Sequence, residues 1–304
     1  MKGLKGYKGF NKDFICRGKQ YKENTVFEEN EAVICNSGMH FCESPMEVLE
    51  YYGFVNEKGE INEFAAVEAL EDAKTNDNKK FCTTKLKIGA KLGLKGFVEA
   101  CVDFLLEKTE LEDTDCDNSG NSAQIGSSGN YAKIGSSGDS AKIGSSGDSA
   151  QIGSSGYYAK IGSSGYYAKI GSSGDSAQIG SSGNYAKIGS SGNYAKIGSS
   201  GYSAKIGSSG DYAQIGSSGD SAQIGSSGDS AQIDSTGEDA VVMCAGYGSV
   251  AKAKKGSWIT LAEWKYSEEK GRYIPVCVKT EQVDGVNIKE DVFYKLENGK
   301  FKEV

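Results

Sequence analysis

Thirteen isoleucines recur at intervals of nine residues, from Ile125 to Ile233. Around them runs one repeated phrase, Ile-Gly-Ser-Ser-Gly-x-x-Ala-Lys/Gln. A fixed nonapeptide period is typical of a solenoid, in which each repeat stacks on its neighbours and cannot fold alone. A flexible Gly/Ser linker has no reason to keep Ile and Ala in phase along its whole length. We therefore predict an ordered β-solenoid in the middle of the chain.

The repeat alternates as a half-buried strand does. In an extended strand, successive side chains point to opposite faces, so Ala141 and Ile143 share one face while Ser140 and Lys142 share the other. The apolar pair is predicted to face inward and the polar pair to face water. The Gly-Ser-Ser-Gly segment is predicted to supply the turn, because glycine tolerates a positive φ. The glycines and serines of each repeat argue against a helix.

The sequence indicates the number of repeats in one coil less directly than it indicates the solenoid itself. Tyrosine precedes alanine in every third repeat, at Tyr131, Tyr158, Tyr185 and Tyr212, which gives a 27-residue superperiod. That superperiod fits a three-sided coil or the duplication of a 27-residue unit. A triangular coil, however, would enclose more space than one Ile and one Ala per side can fill. We therefore predict two repeats per coil, which gives about seven coils at the usual strand spacing.

The two ends differ from the repeats in composition and predict capping domains. Residues 1–113 have the mixed composition of an α+β domain, with strands over 62–70 and 81–88 and a short helix that a capping box at Ser44 begins. A second helix, from Phe97 to Lys108, leads directly into the first repeat and is predicted to close the open end of the solenoid. Its apolar face consists of Phe97, Cys101, Phe104 and Leu105.

The C-terminal part is predicted to be a small antiparallel domain that also caps the solenoid. We assign residues 114–242 to the solenoid and residues 243–304 to this domain. Strands are expected over 258–264 and 272–278, with hairpins at Asp284-Gly285 and Asn298-Gly299, since Asp-Gly and Asn-Gly are strong hairpin signals. The predicted fold class is mainly β, a capped solenoid.

Composition narrows the classes of function. The net charge is −7, and residues 117–240 contain seven lysines against ten acidic residues. Such a surface argues against sequence-independent nucleic-acid binding. The N-terminus has no apolar secretory segment and no run is long enough to span a membrane. With eight scattered cysteines, these features lead us to expect reduced thiols and a cytoplasmic location.

Two stretches resemble a family of bacteriophage and prophage proteins. The first, residues 35–52, reads Cys-Asn-Ser-Gly-Met-His-Phe-Cys-Glu-Ser-Pro-Met-Glu-Val-Leu-Glu-Tyr-Tyr and is similar to an N-terminal domain that often precedes nonapeptide repeats. The second comprises residues 256–264 and 273–280 and resembles the ending of the same proteins. The resemblance implies a phage or mobile-element origin and a location in the host cell. It implies no activity, so it transfers no functional residues.

Candidate chemistry is sparse. His40 is the only histidine, and with Cys35, Cys42 and Cys16 it is the one set that could hold zinc or form a Cys–His nucleophile. The Cys-x4-His-x-Cys spacing is not that of a standard zinc finger, so we expect no metal, no cofactor and no catalysis. A calcium-binding roll would keep its carboxylates in every repeat, and an ice-binding face would carry rows of threonine; the repeats do neither.

The outward side chains are therefore the candidate binding surface. Tyrosine gives a large contact area at low entropic cost, which is why interfaces prefer it. We hypothesise a non-catalytic protein that binds a host macromolecule, most simply a protein, for example to inhibit a bacterial defence system. The alternatives are a solubilising coat, an enzyme in the N-terminal domain with the solenoid as spacer, and a virion or surface adhesin; a homo-oligomer also stays open. The candidate binding residues are Tyr131, Tyr157, Tyr158, Tyr166, Tyr167, Tyr185, Tyr194, Tyr212, Lys133, Lys160, Lys169 and Lys187.

Overall fold

The structure, a computed structural model, describes residues 3–56, 60–108 and 120–304, together with the backbone of 116–118. It is mainly β, with 45% strand and 8% helix, and contains a β-solenoid of about eight turns. The predicted fold class is confirmed. The side chain of Cys116, which the repeat register predicts to point inward, lies outside the described residues.

The N-terminal domain is a six-stranded antiparallel sheet with two helices. The sheet order is β4-β8-β6-β1-β5-β7. Its elements are β1 (Lys5–Phe10), a 3₁₀ turn (Lys12–Phe14), β2 (Ile15–Cys16), β3 (Lys19–Gln20), β4 (Val26–Glu28), β5 (Met39–Cys42), α1 (Pro45–Val48), β6 (Glu63–Ala69), β7 (Lys80–Thr83), β8 (Lys85–Leu92) and α2 (Leu94–Lys108).

Local sequence signals predicted the two helices and the strands β6 to β8, but not the 3₁₀ turn or the strands β1 to β5. The strand expected over 62–70 is present as β6. The strand expected over 81–88 is interrupted at Thr84, and its two halves, β7 and β8, pair with different neighbours, β5 and β4/β6. The Ser44 side chain makes no capping hydrogen bond, so the predicted capping box is wrong, and α1 is only four residues long.

The solenoid has two sides, which confirms two repeats per coil. Successive strands alternate between two sheets, and each strand pairs in parallel and in register with the strand 18 residues away, as Ile143 does with Ile161. The three-sided alternative is wrong. The 27-residue superperiod is therefore a feature of the sequence and not of the coil.

We call the two sheets of the solenoid the covered sheet and the open sheet. The covered sheet comprises β10 (Gln124–Ser127), β12 (Lys142–Ser145), β14 (Lys160–Ser163), β16 (Gln178–Ser181), β18 (Lys196–Ser199), β20 (Gln214–Ser217), β22 (Gln232–Ser235) and β24 (Val250–Ala253). The open sheet comprises β9 (Cys116–Asn118), β11 (Lys133–Ser136), β13 (Gln151–Ser154), β15 (Lys169–Ser172), β17 (Lys187–Ser190), β19 (Lys205–Ser208), β21 (Gln223–Ser226) and β23 (Val241–Cys244).

The interior consists of three residues per repeat instead of two. Ala and Ile face inward as predicted; Ala177 and Ile179, for example, have no exposed surface. The first serine of Gly-Ser-Ser-Gly follows in the same alternation and is also buried, as Ser181 shows. Because the serine side chain is small, the two sheets can close on a narrow core without a void.

The turn chemistry differs from the prediction. The residue before alanine, not a glycine, has the left-handed backbone: φ is 56° at Ser176 and 58° at Tyr185. The second glycine of the repeat is needed for another reason. A Cβ on Gly192 would overlap the carbonyl oxygen of Gly174 in the preceding coil. Close stacking of the coils therefore excludes a side chain at this position.

The Asn or Asp two residues before alanine links adjacent coils. The Asp211 Oδ1 atom accepts a hydrogen bond of 2.8 Å from the backbone N–H of Asp229, and Asp175 does the same for Asn193 at 2.7 Å. These carboxylates and amides therefore stabilise the stack as well as coating its surface.

Antiparallel strands extend both sheets at the C-terminal end, as predicted. The ten-residue strand β25 (Trp258–Ser267) pairs in parallel with β23 and antiparallel with β26 (Arg272–Gln282). The strands β27 (Tyr294–Glu297) and β28 (Lys300–Glu303) extend the covered sheet and form the hairpin predicted at Asn298-Gly299. The solenoid register continues through β24 and β25, past residue 242.

The hairpin predicted at Asp284-Gly285 is wrong. Asp284 instead organises a loop, because its Oδ1 atom accepts hydrogen bonds of 2.8–3.0 Å from the backbone N–H groups of Val286, Asn287 and Ile288. These donors lower the pKa of the Asp284 carboxyl to about 2.

The N-terminal domain lies along the side of the solenoid and not across its end. Helix α2 contacts β10, β12, β14, β16 and β18 of the covered sheet. The prediction that this helix caps the open end is therefore wrong. Its apolar face was predicted in part: Phe97, Cys101 and Leu105 are buried, whereas Phe104 is only half-buried and the buried Val98 and Val102 were missed. That face packs on a sheet whose outward residue is glycine.

Candidate functional site

The covered sheet is an internal docking surface. The first glycine of each repeat faces outward there, and it lies against apolar side chains of the N-terminal domain. An ideal Cβ on Gly180 would lie 2.6 Å from Phe54 Cζ and 2.8 Å from Val98 Cγ2. The absence of a side chain at this position therefore lets α2 and the Phe54 loop approach the sheet closely.

Acidic residues of the N-terminal domain neutralise the lysines beside this glycine row. Lys142 forms an ion pair with Glu47, and the Lys160 Nζ atom lies 3.3 Å from Glu50 Oε1 and 3.2 Å from the Met46 carbonyl oxygen. Burial lowers the pKa of Lys160, although Glu50 and Glu47 favour its charged form. Lys160 is therefore an interdomain residue, and its assignment to an exposed binding surface is wrong.

The open sheet presents the same repeat to solvent. Its outward lysines and glutamines are exposed, and no described atom lies within 4 Å of an ideal Cβ on Gly153, Gly171 or Gly189. The glycine row forms the floor of a shallow trough of about 1240 Å³ that runs along the sheet. The two faces thus share one sequence pattern, but the described residues cover only one of them.

Three consecutive lysines stand in register on the open sheet. Lys169 pairs with Lys187 across the ladder, and Lys187 pairs with Lys205. Like charges directly opposite one another in a sheet are destabilising. Among the ion pairs found within the described ranges, none involves these three lysines, in contrast to Lys142 and Lys160 on the covered sheet.

The predicted tyrosine surface is divided between two opposite edges. Because consecutive strands alternate between the sheets, consecutive turns lie on opposite edges of the coil. The open-side edge, whose turns lead into the open sheet, contains Tyr131, Tyr166, Tyr167, Tyr185 and Tyr202. The covered-side edge contains Tyr157, Tyr158, Tyr194 and Tyr212.

The open-side edge and the lysine ladder form one continuous surface. Tyr167 and Tyr185 stack with ring centroids 5.1 Å apart, and Tyr185 meets Tyr202 edge-on at 5.7 Å. Each tyrosine comes two or three residues before a lysine of the ladder. We call this surface the Lys–Tyr patch; it consists of Tyr167, Tyr185, Tyr202, Lys169, Lys187 and Lys205.

Of the other candidate binding residues, Lys133 lies on the open sheet and Tyr131 and Tyr166 lie on its edge. Sequence reasoning omitted Tyr202 and Lys205, although the 18-residue spacing from Lys187 to Lys205 could have indicated the latter. Tyr194 and Tyr212 stack at 4.9 Å on the covered-side edge, so they cannot join the same flat contact.

The cysteines and the histidine do not converge on a metal. The His40 Nε2 atom accepts a hydrogen bond of 3.0 Å from the Cys35 N–H, and Cys16 accepts one of 3.2 Å from the Tyr52 hydroxyl. Burial raises the pKa of the Cys42 thiol to about 12. Within the described ranges, no group of three or more His, Cys, Asp and Glu side chains is arranged to hold a metal ion.

Comparison with known proteins identifies one part of the chain. The N-terminal residues match a family model described as "Domain of unknown function (DUF7666)". Residues 4–100 form a DUF7666 domain. The DUF7666 match ends inside α2, the helix that packs on the covered sheet. No curated protein and no solved structure matches the chain.

No helix of the described residues is long and apolar enough to cross a membrane.

Proposed function

We propose that this protein is a non-catalytic interaction protein that binds a protein partner through the Lys–Tyr patch. The observation that carries the proposal is the equivalence of the two solenoid faces. One glycine row accommodates a helix of the DUF7666 domain, and its flanking lysines pair with glutamates. The other row has the same geometry, and Lys169, Lys187 and Lys205 beside it form no ion pair within the described residues.

This equivalence indicates the chemistry of the partner. A surface that complements the open sheet would present small or apolar side chains to the glycine row and carboxylates to the lysine ladder, as α1 and α2 do on the covered sheet. The exposed tyrosines at the edge would add aromatic contacts, which dominate the energetics of many interfaces. Lysine charges at such a surface would speed association and favour acidic partners.

A narrower form of the proposal follows from the resemblance to phage and prophage proteins. In that form the protein acts in the cytoplasm of a bacterial host, where its partner is a host protein and one outcome is inhibition of a defence system. The resemblance supports this form by association. The chemistry of the Lys–Tyr patch supports only the broader proposal.

The test compares two matched pairs of stacked tyrosines. Replacing Tyr167 and Tyr185 with serine removes the aromatic part of the patch, whereas replacing Tyr194 and Tyr212 removes an equivalent stack on the other edge. Serine already occupies the same left-handed position at Ser176 and Ser203, so both variants should keep the fold. Wild type and the two variants are used to capture partners from bacterial lysate, and the affinity of each purified partner is then measured.

We expect a captured partner to bind the Tyr194/Tyr212 variant as it binds wild type. It should bind the Tyr167/Tyr185 variant at least about thirtyfold more weakly, since an interfacial tyrosine commonly contributes about 2 kcal/mol or more. Charge reversal of Lys169, Lys187 and Lys205 to glutamate should also abolish binding. A partner that binds all variants equally well would contradict the proposal.

A further inference from the structure

The DUF7666 domain contains a pocket that the solenoid does not use. It lies between β1, β5, the segment after the 3₁₀ turn and the end of α1, and has a volume of about 300 Å³. Cavities of this size lie at the lower end of the range for small-molecule sites, which is about 300–1,000 Å³. The pocket can therefore hold one ring system with a charged substituent, but not a dinucleotide.

The charge of the pocket is opposite to that of the whole chain. Four cationic side chains line it, against the single carboxylate of Glu29, whereas the chain as a whole has a net charge of −7. Lys19 already binds Glu29. The remaining cations, Lys8, Arg17 and Lys80, form no ion pair with any carboxylate of the described residues.

Lys8 is the most deeply placed of these cations. It is only 5% exposed, its Nζ atom donates a hydrogen bond of 2.9 Å to the His40 carbonyl oxygen, and it lies 5.3 Å from the centre of the Tyr21 ring. Burial lowers the pKa of Lys8, so an anionic ligand would favour its charged form. The field of the pocket also acts on His40, since burial and the cations Lys8, Arg17 and Lys80 lower its pKa to about 4.

Tyrosine rings line the pocket beside these cations. Tyr51 and Tyr52, which follow α1, line the pocket together with Tyr21. Tyr51 is 46% exposed, and the Lys80 Nζ atom lies 4.5 Å from the centre of its ring. A planar base can stack on an aromatic ring while nearby cations neutralise the phosphate attached to it.

Two tight turns of the backbone border the pocket. Arg17 and Cys35, neither of them glycine, have φ values of 49° and 65°. Their segments carry Arg17 to the rim and place Cys35 beside Lys80, whose Nζ atom lies 3.0 Å from the Cys35 Sγ atom. Arg17 and Gly18 form the two-residue turn of the β2–β3 hairpin, in which both central residues normally have a positive φ, so the hairpin sets the position of Arg17.

We propose that this pocket binds a free mononucleotide, with the phosphate among Lys8, Arg17 and Lys80 and the base against the tyrosines. The proposal concerns binding and not a reaction. It is independent of the Lys–Tyr patch, which lies on the solenoid.

The test is titration calorimetry on the full chain with AMP, GMP, CMP and UMP, and with adenosine and inorganic phosphate as partial ligands. We expect at least one monophosphate to bind. Adenosine and inorganic phosphate should each bind at least about tenfold more weakly, since the loss of even one charge-assisted contact lowers affinity by about this factor. Arg17→Ala and Lys80→Gln should each weaken binding by a similar factor. Lys95→Ala, on an exposed lysine of the same domain, should leave it unchanged.

Several results would overturn this proposal. One is the absence of heat with all four monophosphates; another is equal affinity for adenosine or for phosphate alone; a third is unchanged affinity in the Arg17→Ala and Lys80→Gln variants. Binding of a single-stranded oligonucleotide without binding of monophosphates would assign the site to a strand end instead. The Tyr167/Tyr185 variant should bind the mononucleotide normally, so failure of either proposal is distinguishable from failure of the other.

Discussion

The two glycines of each repeat are required for different reasons. The second glycine lies in the turns at both edges of the coil and stacks on the carbonyl oxygen of the coil before it. The first glycine is confined by neighbours only on the covered sheet, where the DUF7666 domain lies against it. On the open sheet an additional Cβ would meet no described atom at Gly207.

One repeat therefore offers a test with its own control. Gly210→Ala places a Cβ against the Gly192 carbonyl oxygen and should force the coils apart, at a loss of about 2 kcal/mol or more of unfolding free energy. Gly207→Ala, three residues earlier, should change the unfolding free energy by about 0.5 kcal/mol at most or raise it slightly. Urea unfolding followed by circular dichroism measures both. Similar losses in the two variants would show that stacking does not explain the second glycine.

At this scale the sequence predicted which side chains face inward but misplaced the turn. Glycine was expected to provide the positive φ, yet tyrosine and serine provide it, at Tyr185 and Ser203 for example. Conformational propensity predicts glycine at a position that needs a positive φ. The stacking of coils instead requires glycine at a position where a Cβ would overlap the neighbouring coil. Only the second requirement depends on a neighbour 18 residues away, so a single repeat could not reveal it. The sequence did contain one hint of the left-handed turn position. Gly248 occupies the position that corresponds to Ser203, and its φ is 67°.

At the scale of elements, an amphipathic helix indicates which face it buries but not what it is buried against. The apolar stripe of α2 was predicted in part, and its partner was not predicted. The choice between the end and the side of the solenoid depends on the shape of the covered sheet, where outward glycines leave space for Val98 and Leu105. The ion pairs of Lys142 with Glu47 and of Lys160 with Glu50 also join residues far apart in the sequence, so sequence spacing could not predict them.

The packing of α2 can be tested with another matched pair of glycines. Gly180→Val introduces branched carbons where even a single Cβ would lie 2.6 Å from Phe54 Cζ. We expect it to displace α2 and to lower the unfolding free energy by about 1–3 kcal/mol. Gly189→Val, at the same repeat position on the open sheet, should be neutral, since valine suits an exposed strand.

Hydrogen exchange locates the effect of these two changes. Residues 94–108 should exchange faster in Gly180→Val and at the wild-type rate in Gly189→Val. If α2 keeps its protection in the Gly180→Val variant, the glycine row is not what allows the domain to dock.

At the scale of the whole molecule, one ionic cluster joins the DUF7666 domain to the far end of the solenoid. Asp234 stands where the other covered-sheet repeats have glycine, and its carboxylate lies 3.2 Å from Lys252 Nζ. The same ammonium lies 3.6 Å from Glu60 Oε1 of the N-terminal domain. The side chains of Asp234 and Lys252 are almost fully buried.

This cluster predicts a pH dependence of stability. Burial raises the pKa of the Asp234 carboxyl from 3.8 to about 6, and Lys252 only partly opposes this rise. Between about pH 4 and pH 6 the folded chain therefore holds this proton more tightly than the unfolded chain does. The contribution of Asp234 to the unfolding free energy is thus most favourable below pH 4, declines as the pH rises to 6, and is constant above that.

Asp234→Asn removes this titration while keeping the shape of the side chain. The unfolding free energy of the variant minus that of wild type should increase by about 2 kcal/mol from pH 4 to pH 7, because only the wild type must ionise a buried carboxyl. Loss of the ion pair with Lys252 shifts the whole difference curve, while Lys252 keeps its contact with Glu60. Urea unfolding at half-unit pH steps measures the curve. A difference that does not change with pH would mean that Asp234 titrates alike in the folded and unfolded chains, and that Lys252 fully compensates for its burial.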